Sequence, residues 1–202
     1  MLLKIHPQTP SYRQILTVCE CLSNGGVIIY PTDTVYGLAC DIYKPKAVDR
    51  IAQIKGIKRE KANFTFVFHD LSQISNFTKP FSTEVYRLMK SYLPGPYSFI
   101  LNANHNIPKI FQRNKKTVGI RIPANNIPTQ IVKELGNPIM TTSIHDDDEV
   151  LEYTTDPELI YEKYKKLVDI VIDGGYGDNV PSTVIDCTGD VPIVIREGKG
   201  ML

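Results

Sequence analysis

VIIYPTDTVYGL, residues 27–38, decides how the chain is read. Val27-Ile28-Ile29-Tyr30 is apolar on both faces of an extended strand, the pattern of a strand covered on both sides near the centre of a sheet. Pro31 has no N–H to give and ends the ladder. The hydroxyls of Thr32 and Thr34 and the phenol of Tyr36 then arrive at the strand's end, and Gly37 offers backbone that a ligand can approach without meeting a Cβ. A strand, a turn and a core tyrosine would account for the same letters. Yet no other stretch joins a buried strand to so many small polar groups, and loops on a rigid scaffold are where function concentrates.

Outward from this stretch, the periodicities alternate. Upstream, residues 11–26 place Ile15, Val18, Cys19 and Leu22 at helical spacing, and Asn24-Gly25 supplies a left-handed stop. Downstream, PKAVDRIAQIKG predicts a second helix with Val48, Ile51, Ala52 and Ile54 inward, and FTFVFH (64–69) a strand. TEVYRLMKSYLPG is a third helix, stopped by Pro94-Gly95-Pro96. YSFILNA and TVGIRIP are strands, IPTQIVKELG a short helix ending on Gly136, and PIMTTSI another strand. Thr155 to Glu158 has the form of a capping box opening DPELIYEKYKKLV. VDIVID, STVIDCT and VPIVIRE follow as strands, the last two joined at Thr188-Gly189-Asp190 as a hairpin. Helices between strands early and clustered strands late predict an α/β fold, a mixed parallel and antiparallel sheet with helices packed on it.

With 202 residues and 42% apolar content, one domain over 1–202 is expected. A net charge of +1 gives no global attraction to nucleic acid. The start MLLKIHPQTP has only a short apolar stretch, and no run approaches the ~18 apolar residues of a membrane span, so a cytoplasmic chain with no membrane partner is expected. Cys19, Cys21, Cys40 and Cys187 lack metal-pair spacing and read as reduced thiols. HDDDE (145–149) lacks the alternating ligands and Gly turn of a hard-cation loop, and reads as solvated. Asp173-Gly174-Gly175-Tyr176 reads as a turn at a strand end. No Ser/His/Asp or Cys/His constellation suggests a covalent nucleophile.

Seven ordered segments carry a resemblance. PTDTVYGL is followed by KGIKREKAN (55–63), LPGPYSFIL (93–101), TVGIRIP (117–123), PIMTTS (138–143), PSTVID (181–186) and IVIREG (193–198). Together they resemble the YrdC-like family, the threonylcarbamoyl-AMP synthases that make the precursor of N6-threonylcarbamoyladenosine in tRNA. GGY, STVID and IREG near the C-terminus are most similar to its YciO branch. The resemblance implies the YrdC-like fold, a strongly curved mixed sheet with a large open concave pocket. It also implies a nucleotidyltransferase that uses ATP with Mg²⁺, L-threonine and bicarbonate, with tRNA or double-stranded RNA and tRNA-modification proteins as partners.

Such chemistry needs cations against a triphosphate and a bidentate Arg against the amino-acid carboxylate. By the resemblance, Thr34, Arg121 and Ser182 contact threonine, and the three are expected around one cavity. Arg121 and Thr117 lie four apart on one strand and so share a face. Lys55, Lys58, Arg59, Asn63, Thr117, Ser143 and Arg196 match nucleotide contacts, while Thr32, Tyr36 and His69 support. Read alone, Arg121 and Arg196 are strand residues on a solvated face, and Lys55, Lys58, Arg59 and Lys61 a solvated helix end.

Three departures stand out. The family's K-x-R pair reads Lys55-Gly56-Ile57-Lys58-Arg59, so Lys58 or Arg59 supplies the second cation and the alignment of Asn63 is not unique. The family's S-A-N reads Ser143-Ile144-His145, without the Asn. His69 is displaced from the family's histidine. These leave two alternatives: a diverged YciO-branch protein acting on a related adenylate, or a nucleotide or double-stranded RNA binding module without synthase activity. The Lys-rich loop after Gly56 is expected to order over the phosphates.

Overall fold

The computed structural model describes residues 1–57, 64–112, 116–144 and 154–201. The chain opens with β1 (Leu2–Lys4), α1 (Tyr12–Ser23), β2 (Ile28–Tyr30), β3 (Gly37–Asp41) and α2 (Pro45–Ile54). β4 (Thr65–Val67), α3 (Thr83–Tyr92), β5 (Tyr97–Asn102), α4 (Lys109–Gln112) and β6 (Thr117–Arg121) follow. α5 (Asn126–Leu135), β7 (Ile139–Ser143), α6 (Pro157–Tyr164), β8 (Ile170–Asp173), β9 (Thr183–Asp186) and β10 (Ile193–Arg196) complete it. Among the described residues the strands form one sheet in the order β1-β8-β2-β3-β7-β4-β6-β5-β9-β10. It is mixed: β2 pairs in parallel with β8 and β5 with β9, while β3 and β7, and β9 and β10, run antiparallel. The fold is α/β, as the alternating periodicities predict.

Side-chain alternation gives the two faces different fates. One face is apolar from end to end. Ile29, Leu38, Phe66, Met140, Ile120 and Phe99 join it in one core with Val48 and Ile51 of α2, Val85 and Met89 of α3, and Ile160 of α6. The other face forms an apolar core where α1 and α5 lie on it, with Ile15, Val18, Leu22, Ile127 and Ile131 against Ile28, Ala39, Val67, Ile139 and Ile170. Each such fully buried Ile or Leu is worth about 1.5–3 kcal/mol. Beyond the two helices that face turns to Thr, Ser and Gly. That uncovered remainder is where a ligand can sit.

The helix faces are those expected: α1 buries Ile15, Val18, Cys19 and Leu22, and α2 buries Val48, Ile51 and Ala52, with Ile54 partly covered. α5 ends on Gly136 at φ +79°, the left-handed stop that glycine provides without a Cβ penalty. Three expectations are corrected. PTDTVYGL is not a strand end alone: residues 31–36 turn the chain, and β3 returns antiparallel to β2, pairing Tyr30 with Gly37. α6 is capped by Asp156, whose side chain accepts from the Glu158 N–H, not by Thr155, because Pro157 takes the first helical position. The helix also ends at Tyr164, before KKLV. The β9–β10 hairpin forms as predicted, with a register shift between Val194 and Arg196.

Candidate functional site

The uncovered sheet face floors a cavity of about 700 Å³, within the usual range of small-molecule sites. Every second residue of β6, namely Thr117, Gly119 and Arg121, points into it, while Val118 and Ile120 point into the core. The same alternation brings Ser98 and Ile100 from β5, Thr141 and Ser143 from β7, Thr65 from β4 and Val184 from β9. Ser182, just before β9, and Ile195 and Arg196 of β10 close the far wall. Hydroxyls dominate the floor, and short apolar side chains at its margin can flank a ring.

Arg121 sits at the centre of the best-organised cluster. Its Nη2 donates to Thr34 Oγ1 at 2.6 Å, to Asp33 Oδ1 at 2.7 Å and to Thr32 Oγ1 at 3.3 Å. Arg121 is 8% exposed and Thr34 fully buried, so the pair lies at and beneath the cavity floor. The β2–β3 turn is built to present these groups. Thr32 Oγ1 accepts from the Thr34 N–H at 2.9 Å and donates to the Val35 carbonyl at 2.8 Å, which folds the turn on itself. Arg121 Nε and Asp33 Oδ2 are buried and have no partner among the described residues, unmet capacity worth about 1–3 kcal/mol each that a ligand or small rearrangement can satisfy.

The reading of Arg121 as a solvated strand residue therefore does not hold. Thr117 lines the cavity on the same face, as the spacing predicts. Ser182 Oγ lies 3.0 Å from Ser98 Oγ. Arg196 grips the Ser182 carbonyl through Nη2 at 2.7 Å and Nε at 3.1 Å. Lys55 Nζ donates to the Ser143 carbonyl at 2.9 Å, and burial lowers the pKa of its amine. Arg121 and Ser182 thus line one cavity, whereas Thr34 is not among its lining residues and reaches it only through its hydrogen bond with Arg121.

Two supporting residues stand apart from that picture. Tyr36 edges the cavity but sends its hydroxyl away, donating to the Gly175 carbonyl at 2.6 Å; burial raises its phenol well above the ordinary value. This contact ties the DGGY turn, with Gly175 at φ +95°, to the β2–β3 loop. His69 pairs with Asp70 at 2.9 Å and is not among the cavity-lining residues. Lys58, Arg59, Lys61, Asn63 and the HDDDE segment lie outside the described residues.

The sequence reading gave no role to Asp33, Ser98, Thr141 or Tyr30. Tyr30 donates to Thr141 Oγ1 at 3.0 Å, and burial pushes its phenol up to about 12. A Cβ on Gly37 would lie 2.8 Å from the Tyr30 ring and 2.9 Å from Thr141 Oγ1. Gly37 nevertheless lines the cavity, and the room left by its missing Cβ is shared with the Tyr30 ring. The signal for Ser98 and Thr141 was the two-residue period of their strands; that for Asp33 was only its place between two assigned threonines.

The family model Sua5/YciO/YrdC, described as telomere recombination, matches residues 20–198. YciO of Escherichia coli K12 is 41% identical over 97% of this chain and 94% of its own length. Its crystal structure superposes with a TM-score of 0.91 at 39% identity, covering 100% of this chain and 97% of that one. The threonylcarbamoyl-AMP synthase of Pyrococcus abyssi is 29% identical over 88% of this chain, which spans 52% of that enzyme's length. P. abyssi Sua5 complexed with L-threonine superposes with a TM-score of 0.88 at 25% identity, over 98% of this chain and 57% of that one. The match runs through every segment that builds the cavity, from the β2–β3 turn to Arg196, and the chain belongs to the Sua5/YciO/YrdC family.

Proposed function

We propose that the protein is a threonylcarbamoyl-AMP synthase-like nucleotidyltransferase acting on ATP, L-threonine and bicarbonate, on the route to N6-threonylcarbamoyladenosine in tRNA. The observation that carries this reading is a guanidinium set in the floor of a 700 Å³ hydroxyl-lined cavity, with Arg196 on its far wall and Lys55 against its Ser143 edge. The relation to proteins named threonylcarbamoyl-AMP synthase supports it. The threonine amine adds to the carbon of bicarbonate, a C–O bond breaks and water leaves, and an oxygen of the resulting carbamate attacks the α-phosphorus of ATP. The bond from the α-phosphorus to pyrophosphate breaks, and pyrophosphate leaves with its electron pair. Mg²⁺ enters bound to the ATP phosphates.

In this reading Arg121 and Ser182 face the amino acid, with Thr34 and Thr32 orienting the arginine. Thr117, Ser143, Lys55 and Arg196 face the nucleotide, joined by Lys58, Arg59 and Asn63. Fixed donors already aimed at the reacting groups stabilise developing charge without reorganising. The test is to incubate the purified protein with ATP, L-threonine, bicarbonate and Mg²⁺. Mass spectrometry should find threonylcarbamoyl-AMP, with pyrophosphate in equal amount; neither product over the uncatalysed background would reject the reading.

One observation favours a second reading, a diverged enzyme acting on a related acid or adenylate. At the family's S-A-N this chain carries Ser143-Ile144-His145, without the Asn, and Ile144 packs in the core instead of lining the cavity. Adenylate formed with another amino acid, and not with threonine, would select it. Binding to RNA without synthesis is separated by salt, because phosphate contacts weaken steeply as salt is added.

A further inference from the structure

The 31–36 turn that carries Thr32, Asp33 and Thr34 to Arg121 is itself held from outside. Lys199 Nζ donates to the Asp33 carbonyl at 2.8 Å, and the Asp178 N–H donates to the Thr34 carbonyl at 3.1 Å. Lys199 and Asp178 also pair with each other, Nζ to Oδ2 at 2.7 Å. Two successive carbonyls of the turn are therefore held, Asp33 by the Lys199 ammonium and Thr34 by the Asp178 backbone N–H.

The backbone around Lys199 is fixed to the opposite wall. Its N–H donates to the Pro181 carbonyl at 2.8 Å, and the Gly198 N–H donates to Thr183 Oγ1 at 3.0 Å. Thr183 Oγ1 in turn donates to the Gly200 carbonyl at 2.6 Å. Pro181 and Thr183 flank Ser182. A Cβ on Gly198 would lie 2.3 Å from the Pro181 carbonyl oxygen, so the segment runs directly against that wall.

We propose that Lys199 is a positioning residue for the cavity. Through the Asp33 carbonyl and the Asp178 carboxylate it fixes the β2–β3 turn against the Ser182 wall, and so sets where Arg121 stands relative to Ser182. Stability alone does not account for the pair: its side chains are 43% and 28% exposed, and ion pairs this open add little to folding. What the pair adds is a side-chain tie between the turn and the Ser182 wall, beside the backbone bond from the Asp178 N–H to the Thr34 carbonyl. For its effect on ligand the inference rests on the proposed substrate; for the clasp itself it does not.

Two measurements on Lys199→Met and Lys199→Arg test it. Hydrogen exchange of peptides covering residues 31–37 and the Asp178 amide should run about threefold to tenfold faster in Lys199→Met. Lys199→Arg should restore it, and exchange in α1 and α5 should stay unchanged. L-threonine affinity, by calorimetry, should fall by a similar factor in Lys199→Met and recover in Lys199→Arg. Unchanged exchange in the turn, or equal acceleration throughout the chain, overturns the proposal. Should L-threonine fail to bind the unaltered protein, the substrate reading fails, and the exchange result alone still decides the clasp.

Discussion

Arg121 shows how far a motif identifies a residue and where it stops. TVGIRIP marks it, and alternation puts it on the face of Thr117; neither names Asp33, which reaches it across 88 residues at 2.7 Å. Asp33 was in view inside PTDT, but a carboxylate's partner is set by the pairing of β2, β3, β7, β4 and β6, which no local pattern specifies. The consequence is energetic. The pair is about nine-tenths buried, with side chains 9% and 11% exposed. Removing one member leaves a charge without its counter-ion, at a cost of about 3–5 kcal/mol. Arg121→Ala should therefore lower the urea midpoint markedly, and Asp33→Ala added to it should recover part of the loss. If the double variant loses the sum of the two single losses, Asp33 and Arg121 are energetically independent. Loss of activity in Arg121→Ala would thus mix folding with binding; Arg121→Lys, which keeps the charge and gives up the planar fork, is the better probe of ligand contact.

At the scale of elements, the amphipathic helices were legible because their apolar spacing is local. α1 and α2 bury the residues that their periods select. β3 was not legible: GLACD has no β-branched residue and continues the signature, so its sequence gives little strand signal. β1 is three residues long and, among the described residues, pairs with β8 alone, too short to carry a period. The β2–β3 hairpin is nevertheless the element on which the site depends, and Gly37 is its weak point. A methyl there would meet the Tyr30 ring at 2.8 Å and Thr141 Oγ1 at 2.9 Å, closer than real Cβ contacts come. Gly37→Ala should displace the ring, break the Tyr30 to Thr141 hydrogen bond and destabilise the fold by about 1–3 kcal/mol. Chemical denaturation measures this directly. An unchanged midpoint would mean that Tyr30 moves aside at no cost and that the hydrogen bond is dispensable.

For the whole molecule, a mixed sheet with helices followed from alternating periods, whereas the strand order did not, since β5 beside β9 and β4 beside β6 are long-range choices. The cavity is a product of that order: α1 and α5 cover one part of a sheet face and leave polar residues of strands distant in sequence facing the same space. Packing of helices on the sheet buries Cys19, Cys40 and Cys187 and half-buries Cys21, with a consequence for alkaline stability. Burial holds Cys19, Cys21 and Cys187 up to about 11, from 9.0, and pushes Cys40 up as well. A raised value means that the folded chain keeps these protons at a pH where the unfolded chain has lost them. Unfolding then releases protons, so stability is unaffected below pH 9 and falls as pH rises through 11. The Lys55 amine, lowered by burial, acts in the opposite sense, so the net slope is read best through one thiol. Cys19 is 7% exposed between α1 and α5. Cys19→Ala loses packing at every pH and loses the titration as well. The Tm advantage of the unaltered protein over Cys19→Ala should therefore shrink between pH 8 and pH 10.5. A constant gap would mean that the thiol ionises as readily in the folded chain as in the unfolded one.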